Sequence, residues 1–542
     1  MAETRTNNIS TAAPVILDGE SLTIEQVIGV ARHGVPVRLA GRAKPRVRAA
    51  RAWIEEISDT EDVVVYGLNT GFGSLAEVLI SLQDRETLAR NLILSHSAGV
   101  GAPLSEEAVR ATMVIRANTL AKGYSGIRLE TLETLIEMVN RGVHPAVPEK
   151  GSVGASGDLA PLSHLTLTLI GEGEAFYRGE RLPGAEAMQR AGLHRITLAA
   201  KEGLALNNGT AVTAAWACLA LADAENLVQH AEIALAMSLE ALRAASRAYD
   251  ARLHAARNHR GQQATAANVR RLLAGSELID AAQRVQDAYS LRCGPQVLGA
   301  VRDTLDFVRT TIQSEINAAT DNPLIFLDEP GPSKAFSGGN FHGEPLALAM
   351  DYLGIAVAEI GNIAERRVFR LLDGTPDNDL PRMLAVESGL QSGLMLTQYT
   401  AAALVSENKT LAHPDSVDSI PTSANQEDHV SMSANAARHA REIVWNVERV
   451  VAIEMLCAAQ ALDYRLSFSE DAQGPSPPVR EHAHRPKLGR GTGAAYRMLR
   501  RSGIAPLTKD RVLAPDIEQI ADLIHRRQIA QAVTSVLQER GS

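Results

Sequence analysis

The sequence predicts a mainly α-helical protein: a core bundle of long helices with a smaller N-terminal domain of mixed structure. Three observations carry this. Aromatic residues are only 4% of the 542-residue chain while Ala and Leu are plentiful, a composition that favours helix over sheet. Between about 205 and 470 long amphipathic segments dominate. In one, Val444, Val447, Val451, Met455, Ala458 and Leu462 recur at intervals of three and four, which puts them on one helical face. Others run from Thr210 to about Arg257 and from Pro345 to Leu372; helices of that length bury their stripes against each other, and so many stripes also suggest packing between subunits. Finally, the length is too great for one small core. The pattern divides the chain into an N-terminal domain over 1–205, a central long-helix bundle over 206–473, and a linker with a helical tail over 474–542.

In chain order, residues 1–60 read as a polar lead-in and mixed short elements. Asp62-Val63-Val64-Val65-Tyr66 predicts a short strand, being rich in β-branched residues, and the glycines of Gly67-Leu68-Asn69-Thr70-Gly71-Phe72-Gly73 predict a loop after it. His96 lies among small residues in Leu94–Gly101. Ser105 is a plausible N-cap for a helix carrying Val109, Met113 and Leu120, which Gly123 stops. Gly474-Pro475-Ser476-Pro477-Pro478 breaks the helical pattern and predicts a linker. Arg480 to Arg501 is basic and contains Gly489-Arg490-Gly491-Thr492-Gly493. That string lacks a preceding strand and the Lys-Ser/Thr of a phosphate loop, so it reads as a solvated surface segment. A helical pattern returns from Ala514.

Bulk properties exclude several classes. A net charge of −9 argues against a general nucleic-acid binder. Cys218, Cys293 and Cys457 are odd in number and widely spaced, which fits neither a disulfide framework nor a zinc site and suits a reducing compartment. Met1 to Pro14 lacks the apolar core of a signal peptide, and the longest apolar run, Thr210 to Ala222, is too short to span a bilayer. A soluble, cytoplasmic protein with no membrane partner is expected. His342 with Glu344, or His429 with Asp428, forms no recognisable ligand set, so no metal is expected.

The stretch of greatest chemical interest is Gly151-Ser152-Val153-Gly154-Ala155-Ser156-Gly157-Asp158-Leu159-Ala160-Pro161-Leu162-Ser163-His164. In a tight enough bend the Gly157 nitrogen can attack the Ala155 carbonyl carbon. Loss of water closes a five-membered ring, and loss of a second water turns Ser156 into an exocyclic methylidene, an electrophile made from the chain itself. Gly157 offers an unhindered nitrogen and permits unusual backbone angles. A serine-hydrolase elbow is excluded, because Asp158 replaces the second glycine and no apolar strand leads in.

The whole segment resembles the signature of the aromatic amino acid ammonia-lyases and aminomutases, in which this tripeptide becomes a methylidene-imidazolone (MIO) group. Further matches follow in order. Tyr66-Gly67-Leu68-Asn69-Thr70-Gly71-Phe72-Gly73 resembles the family's catalytic tyrosine loop, and Leu204–Thr210 its Asn-Gly-Thr segment. Val285–Cys293 resembles its carboxylate-binding segment; Asn317–Leu324 and Gly338–His342 match too. The resemblance covers about Val15 to Glu470 and Lys509 to Leu523. Asn207 stands where the family usually has an apolar residue, Ser74 occupies a variable position, and the stretch from about Pro475 to Arg501 has no clear counterpart.

The resemblance implies roles. The MIO group from Ala155, Ser156 and Gly157 captures the amine, which makes it a better leaving group. Tyr66 takes the β-proton; as a free phenol has a pKa of ~10, its phenolate needs positive charge or hydrogen bonds nearby. Arg292 clamps the carboxylate with its planar fork, assisted by Asn208 and Tyr289. His96, Gln286 and Glu427 address the substrate ring, and Phe341 walls the site. Leu94-Ser95-His96, Gln286–Cys293 and Thr422–Met432 are most like the histidine-acting members. A carboxylate at Glu427 suits an imidazole N–H, whereas a phenyl ring would leave it unpaired. The implied reaction is conversion of L-histidine to urocanate and ammonia, with no external cofactor. The alternatives are a tyrosine or phenylalanine ammonia-lyase or a 2,3-aminomutase and, from another class, a non-catalytic helical scaffold. The resemblance also implies a homotetramer with shared active sites, Tyr66, Ser156 and Glu427 coming from different chains.

Overall fold

The computed structural model describes residues 13–58, 63–282, 284–375, 379–466 and 486–538. Among these are nineteen α-helices and nine short strands. The chain forms two compact units that interleave in sequence. One comprises Met1–Ala220, Val308–Asp351 and Pro414–Arg438; the other Leu221–Phe307, Tyr352–His413 and His439–Ser542. The sequence pattern, by contrast, divides the chain into three successive segments, because local periodicity carries no record of where a chain returns.

The first unit is mixed. Its strands form a parallel pair (Val15–Leu17 with Val37–Leu39), an antiparallel pair (Val100–Pro103 with Pro148–Lys150), a three-stranded sheet (Val143–Pro145, Glu174–Tyr177, Glu180–Pro183), and the pair Leu324–Ile325 with Ala335–Phe336. Helices supply most of its core. Ser105 caps Glu106–Ala121 by accepting from the Ala108 amide, and almost that whole helix is buried. Trp53, Ile54 and Ile57 of Lys44–Ser58 pack with Val65, Leu68, Ala200 and Ile325.

The strand expected at 62–66 does not form over its described residues. The Asn69 side chain accepts from the Val65 amide at 2.8 Å and donates to the Val63 carbonyl at 2.8 Å. A local side chain thus takes the groups that a strand partner would need, and the chain turns at Tyr66.

The second unit is built on long helices. Val444, Val447, Val451, Met455, Ala458 and Leu462 of Ser433–Leu466 are all buried, as their spacing predicts. In its interior Glu454 accepts from Arg367 Nη2 at 2.7 Å and from Ser238 Oγ at 2.7 Å, tying that helix to Glu344–Leu372 and Ala211–Ala241. The latter two are long and apolar enough to cross a membrane by length and composition, and 61% of the most apolar stretch of Glu344–Leu372 and 89% of that of Ala211–Ala241 are buried within the protein.

The tail corrects a further expectation. The linker at 474–478 lies outside the described residues, but Arg490–Arg501 is a helix with Gly491, Thr492, Gly493, Ala494, Ala495 and Leu499 buried. The glycines serve packing: a Cβ on Gly491 would lie 2.5 Å from Leu272 Cδ2, and one on Gly489 2.6 Å from the Leu272 carbonyl. This is no solvated surface segment.

Candidate active site

All of the tripeptide's neighbours described here belong to the first unit. Ala155 is buried with Val430, Met432 and Val153. Gly157 has φ +71°, and a Cβ there would lie 2.2 Å from the Gly209 carbonyl oxygen, so only glycine fits this bend. The bend is pinned from both sides, by the Asp158 amide on the Gly209 carbonyl at 2.7 Å and the Gly209 amide on the Ser156 carbonyl at 3.3 Å.

Asp158, to which the sequence reading assigns no role, anchors this arrangement. It is fully buried, and its carboxylate accepts from the Val212 and Thr213 amides, Thr213 Oγ1 and Ser152 Oγ, at 2.8–3.0 Å. Burial raises its carboxyl above the usual range, against the opposing pull of those hydrogen bonds. It thereby joins the start of helix Leu159–Leu169 to the start of Ala211–Ala241. Two helix N-termini, each carrying partial positive charge, meet behind the tripeptide.

Glu427 reaches the same point from far along the chain. Its Oε1 accepts from Ser156 Oγ at 3.2 Å, and its Oε2 accepts from Thr422 Oγ1 at 2.5 Å. The turn between Thr422 and Glu427 is closed by both backbone pairs, at 3.0 and 3.3 Å. It holds Ser423, Ala424 and Asn425 at φ of +50°, +51° and +71°. Three consecutive non-glycine residues in the left-handed region mark a strained loop held by its surroundings.

The Tyr66 hydroxyl accepts from the Gly73 amide at 2.9 Å, and its ring meets Phe72 edge-on at 6.2 Å. The tyrosine loop touches the Glu427 turn through the Ser74 amide, which donates to Ser423 Oγ at 3.3 Å. Burial raises the Tyr66 phenol above its ordinary value; the Gly73 amide opposes this and the Glu427 charge adds to it. His96 ends its helix half-buried, with Ser95 Oγ 3.0 Å from Nδ1. Burial lowers its pKa, and the Glu427 charge pulls it back up.

The two asparagines divide their work. Asn207 is fully buried and its Nδ2 donates to Ser163 Oγ at 3.1 Å, which accounts for an amide at a position usually apolar. Asn208 is also buried, and the Oδ1 of each asparagine has no partner among the described residues. Phe341 is half-buried two residues before Gly343, whose amide donates to the Gly154 carbonyl at 3.3 Å. Next to it His342 stacks on His429 with ring centroids 5.4 Å apart.

The structure therefore brings Tyr66, His96, Ser156 and Glu427 together within one chain, which overturns the expectation that Tyr66, Ser156 and Glu427 come from different chains. Gln286, Tyr289 and Arg292 belong to the second unit. Gln286 is exposed, Tyr289 is 71% exposed, and the Arg292 guanidinium lies 4.6 Å over the Tyr289 ring. Arg292 Nε is buried without a partner among the described residues.

The residues at 155–157 fit an MIO group. Gly157 is bent where a side chain is excluded, Ser156 exposes its hydroxyl to a carboxylate, and the buried Asn208 Oδ1 stands unpartnered at the C-cap of the helix Glu202–Asn207.

Comparison with known proteins finds relatives along nearly the whole chain. The family model described as aromatic amino acid lyase matches residues 22–501, so the stretch at 475–501 does lie within the family's span. A histidine ammonia-lyase from Caldanaerobacter subterraneus subsp. tengcongensis is 53% identical over 97% of this chain and 99% of its own. The crystal structure of histidine ammonia-lyase from Trypanosoma cruzi is similar with a TM-score of 0.86 at 41% identity, covering 97% of this chain and 96% of that one. Tyrosine aminomutase from Streptomyces globisporus matches with a TM-score of 0.87 at 38% identity, covering 96% and 99%.

Proposed function

The chain belongs to the aromatic amino acid lyase family, and from that premise we propose that it is a carbon–nitrogen lyase converting L-histidine to urocanate and ammonia. The observation that carries the substrate assignment is Glu427, a carboxylate held at Ser156 and within electrostatic reach of His96 and Tyr66. An imidazole can donate to it; a phenyl ring would strand it.

An MIO group formed from Ala155, Ser156 and Gly157 would supply an electrophile for the substrate amine. Ring formation removes the Ser156 hydroxyl, which frees Glu427 Oε1 to accept from the imidazole while Thr422 still holds Oε2. His96, half-buried and biased toward neutrality, can share that ring's hydrogen bonding. Asn208 Oδ1 is an acceptor waiting for a donor such as the substrate ammonium. Tyr66 takes the β-proton. In the free protein its surroundings favour the neutral phenol, so a cationic substrate brings the positive charge that the phenolate needs.

The carboxylate clamp of Tyr289 and Arg292, aided by Gln286, belongs in this proposal to a second copy of the chain, within a homotetramer. An exposed tyrosine under a guanidinium with an unpartnered Nε suits a surface that completes a neighbour's site. Free, buried Cys218 and Cys457 suit a reducing compartment, and a cytoplasmic location is part of the same reading.

The test is turnover of L-histidine by purified protein, followed by urocanate absorbance, with L-tyrosine and L-phenylalanine in parallel. Urocanate formation with the other two nearly inert is expected. Coumarate, cinnamate or a β-amino acid as main product would overturn the substrate or the outcome of the reaction.

A further inference from the structure

Behind the bent tripeptide lies a buried cation that the reaction described above does not use. Arg116, on the helix Glu106–Ala121, is 0% exposed. Its Nη2 donates to the Ala205 carbonyl, whereas Nε and Nη1 have no partner among the described residues. Buried donors are normally satisfied, so two orphans on one guanidinium call for a reason. Its place supplies one. A Cβ on Gly209 would lie 2.6 Å from Arg116 Nη1, and a Cβ on Gly157 2.2 Å from the Gly209 oxygen. The Gly209 backbone therefore lies against both the tripeptide and the guanidinium.

The nearby charges are unevenly matched. Lys201 Nζ and Asp321 Oδ2 form a fully buried pair at 2.9 Å. The carboxylates acting on Arg116 are Asp321 and Asp158. Asp321, the larger influence on Arg116, is shared with Lys201, and Asp158 adds the smaller one. Burial lowers the guanidinium to about 10, which still leaves it charged at neutral pH.

We propose that Arg116 is a positioning residue for ring closure at Ala155-Ser156-Gly157, bracing the Gly209 backbone and balancing charge as the bond forms. This rests on the reading that the tripeptide cyclises. In that step the Gly157 nitrogen bonds to the Ala155 carbonyl carbon. The Ala155 oxygen leaves as water with the Gly157 and Ser156 amide hydrogens, and a carbon–nitrogen double bond to Ser156 remains. The Ser156 hydroxyl and α-hydrogen leave as a second water. No oxidant is needed. Negative charge builds on the Ala155 oxygen during attack, and a fixed cation against the same Gly209 backbone as Gly157 lowers the cost of that charge.

The experiment follows dehydration directly, by mass spectrometry of the proteolytic peptide holding residues 155–157, at fixed times after synthesis of the full chain. Wild type is compared with Arg116→Gln and Arg116→Lys, each checked for native helical content by circular dichroism. The expected result is a wild-type peptide lighter by two waters, at least about tenfold slower dehydration in folded Arg116→Gln, and substantial recovery in Arg116→Lys, which restores the cation. A wild-type peptide at full mass would overturn the cyclisation reading itself. A dehydrated wild type with a folded Arg116→Gln dehydrating equally fast would overturn the role of Arg116 alone. If Arg116→Gln does not fold, Arg116→Lys decides: wild-type-like dehydration supports the proposal, and a folded protein at full peptide mass refutes it.

Discussion

Glu427 stands where three demands meet: it accepts from Ser156 and from Thr422, and its charge adds to the effect of burial on Tyr66 and opposes it on His96. Replacing it by glutamine keeps the shape and removes the charge. Loss of a charge-assisted hydrogen bond is worth about 1.5–3 kcal/mol, so kcat/KM for histidine should fall by about 10–100-fold in Glu427→Gln. Any residual phenylalanine turnover should fall less, and equal losses would refute the specificity argument. The same variant tests Tyr66. The phenol lies above its ordinary value partly because Glu427 is a like charge for the phenolate, so removing that charge lowers it. If Tyr66 acts deprotonated, as proposed, the ascending alkaline limb of kcat/KM should move to lower pH in Glu427→Gln; an unmoved limb would mean that the two groups are uncoupled. Tyr66→Phe should lose about 10²–10⁴-fold in kcat with the fold unchanged. Residue types at this scale were legible where the proposed chemistry dictates them. Ser156 supplies a hydroxyl that can leave, and Gly157 a nitrogen that can attack. Asp158 was not legible, because its importance lies in binding the start of a helix more than fifty residues away.

Among the elements, the long helices follow their three-and-four spacing, since a stripe must be buried wherever the helix lies. The helix Arg490–Arg501 is the counterexample. Three glycines in five residues read as a loop, yet two of them let the helix sit against Leu272. Gly491→Ala should therefore destabilise by overpacking, by about 1–3 kcal/mol, with kcat unaffected. A chemical denaturation midpoint measures the first and steady-state kinetics the second; an unchanged midpoint would show that Leu272 yields freely. The β-branched run before Tyr66 failed as a strand for a related reason. Strand propensity measures fit to a partner, and Asn69 satisfied the backbone first.

For the whole molecule, large apolar side chains remain exposed on the long helices. Phe307, Tyr352, Phe369, Tyr399 and Trp445 are each about half exposed or more. Such surfaces fit self-association, and sedimentation should give a species several times the monomer mass. Complementation tests how sites are shared. Arg292→Ala and Tyr66→Phe should each be nearly inactive, and mixing them under conditions of subunit exchange should restore about a quarter of sites if Tyr66 and Arg292 come from different copies. Tyr66→Phe mixed with Ser156→Ala should restore nothing, because one chain supplies both residues. Recovery in that second pair would contradict the single-chain arrangement of Tyr66, Ser156 and Glu427.

The sequence by itself determined which chemistry is available and which segments are helical. Both are local properties: the first depends on adjacent residue types at 155–157, the second on a repeat within one helix. The tertiary structure decided which residues meet. Ser156 and Glu427 are 271 positions apart, and nothing in either neighbourhood predicts their hydrogen bond or that one chain supplies both. The meeting of Arg116, Gly209 and Gly157 is likewise visible only once three distant segments are packed together. Such contacts follow from how buried faces are shared across the whole core, and no short window of sequence encodes that.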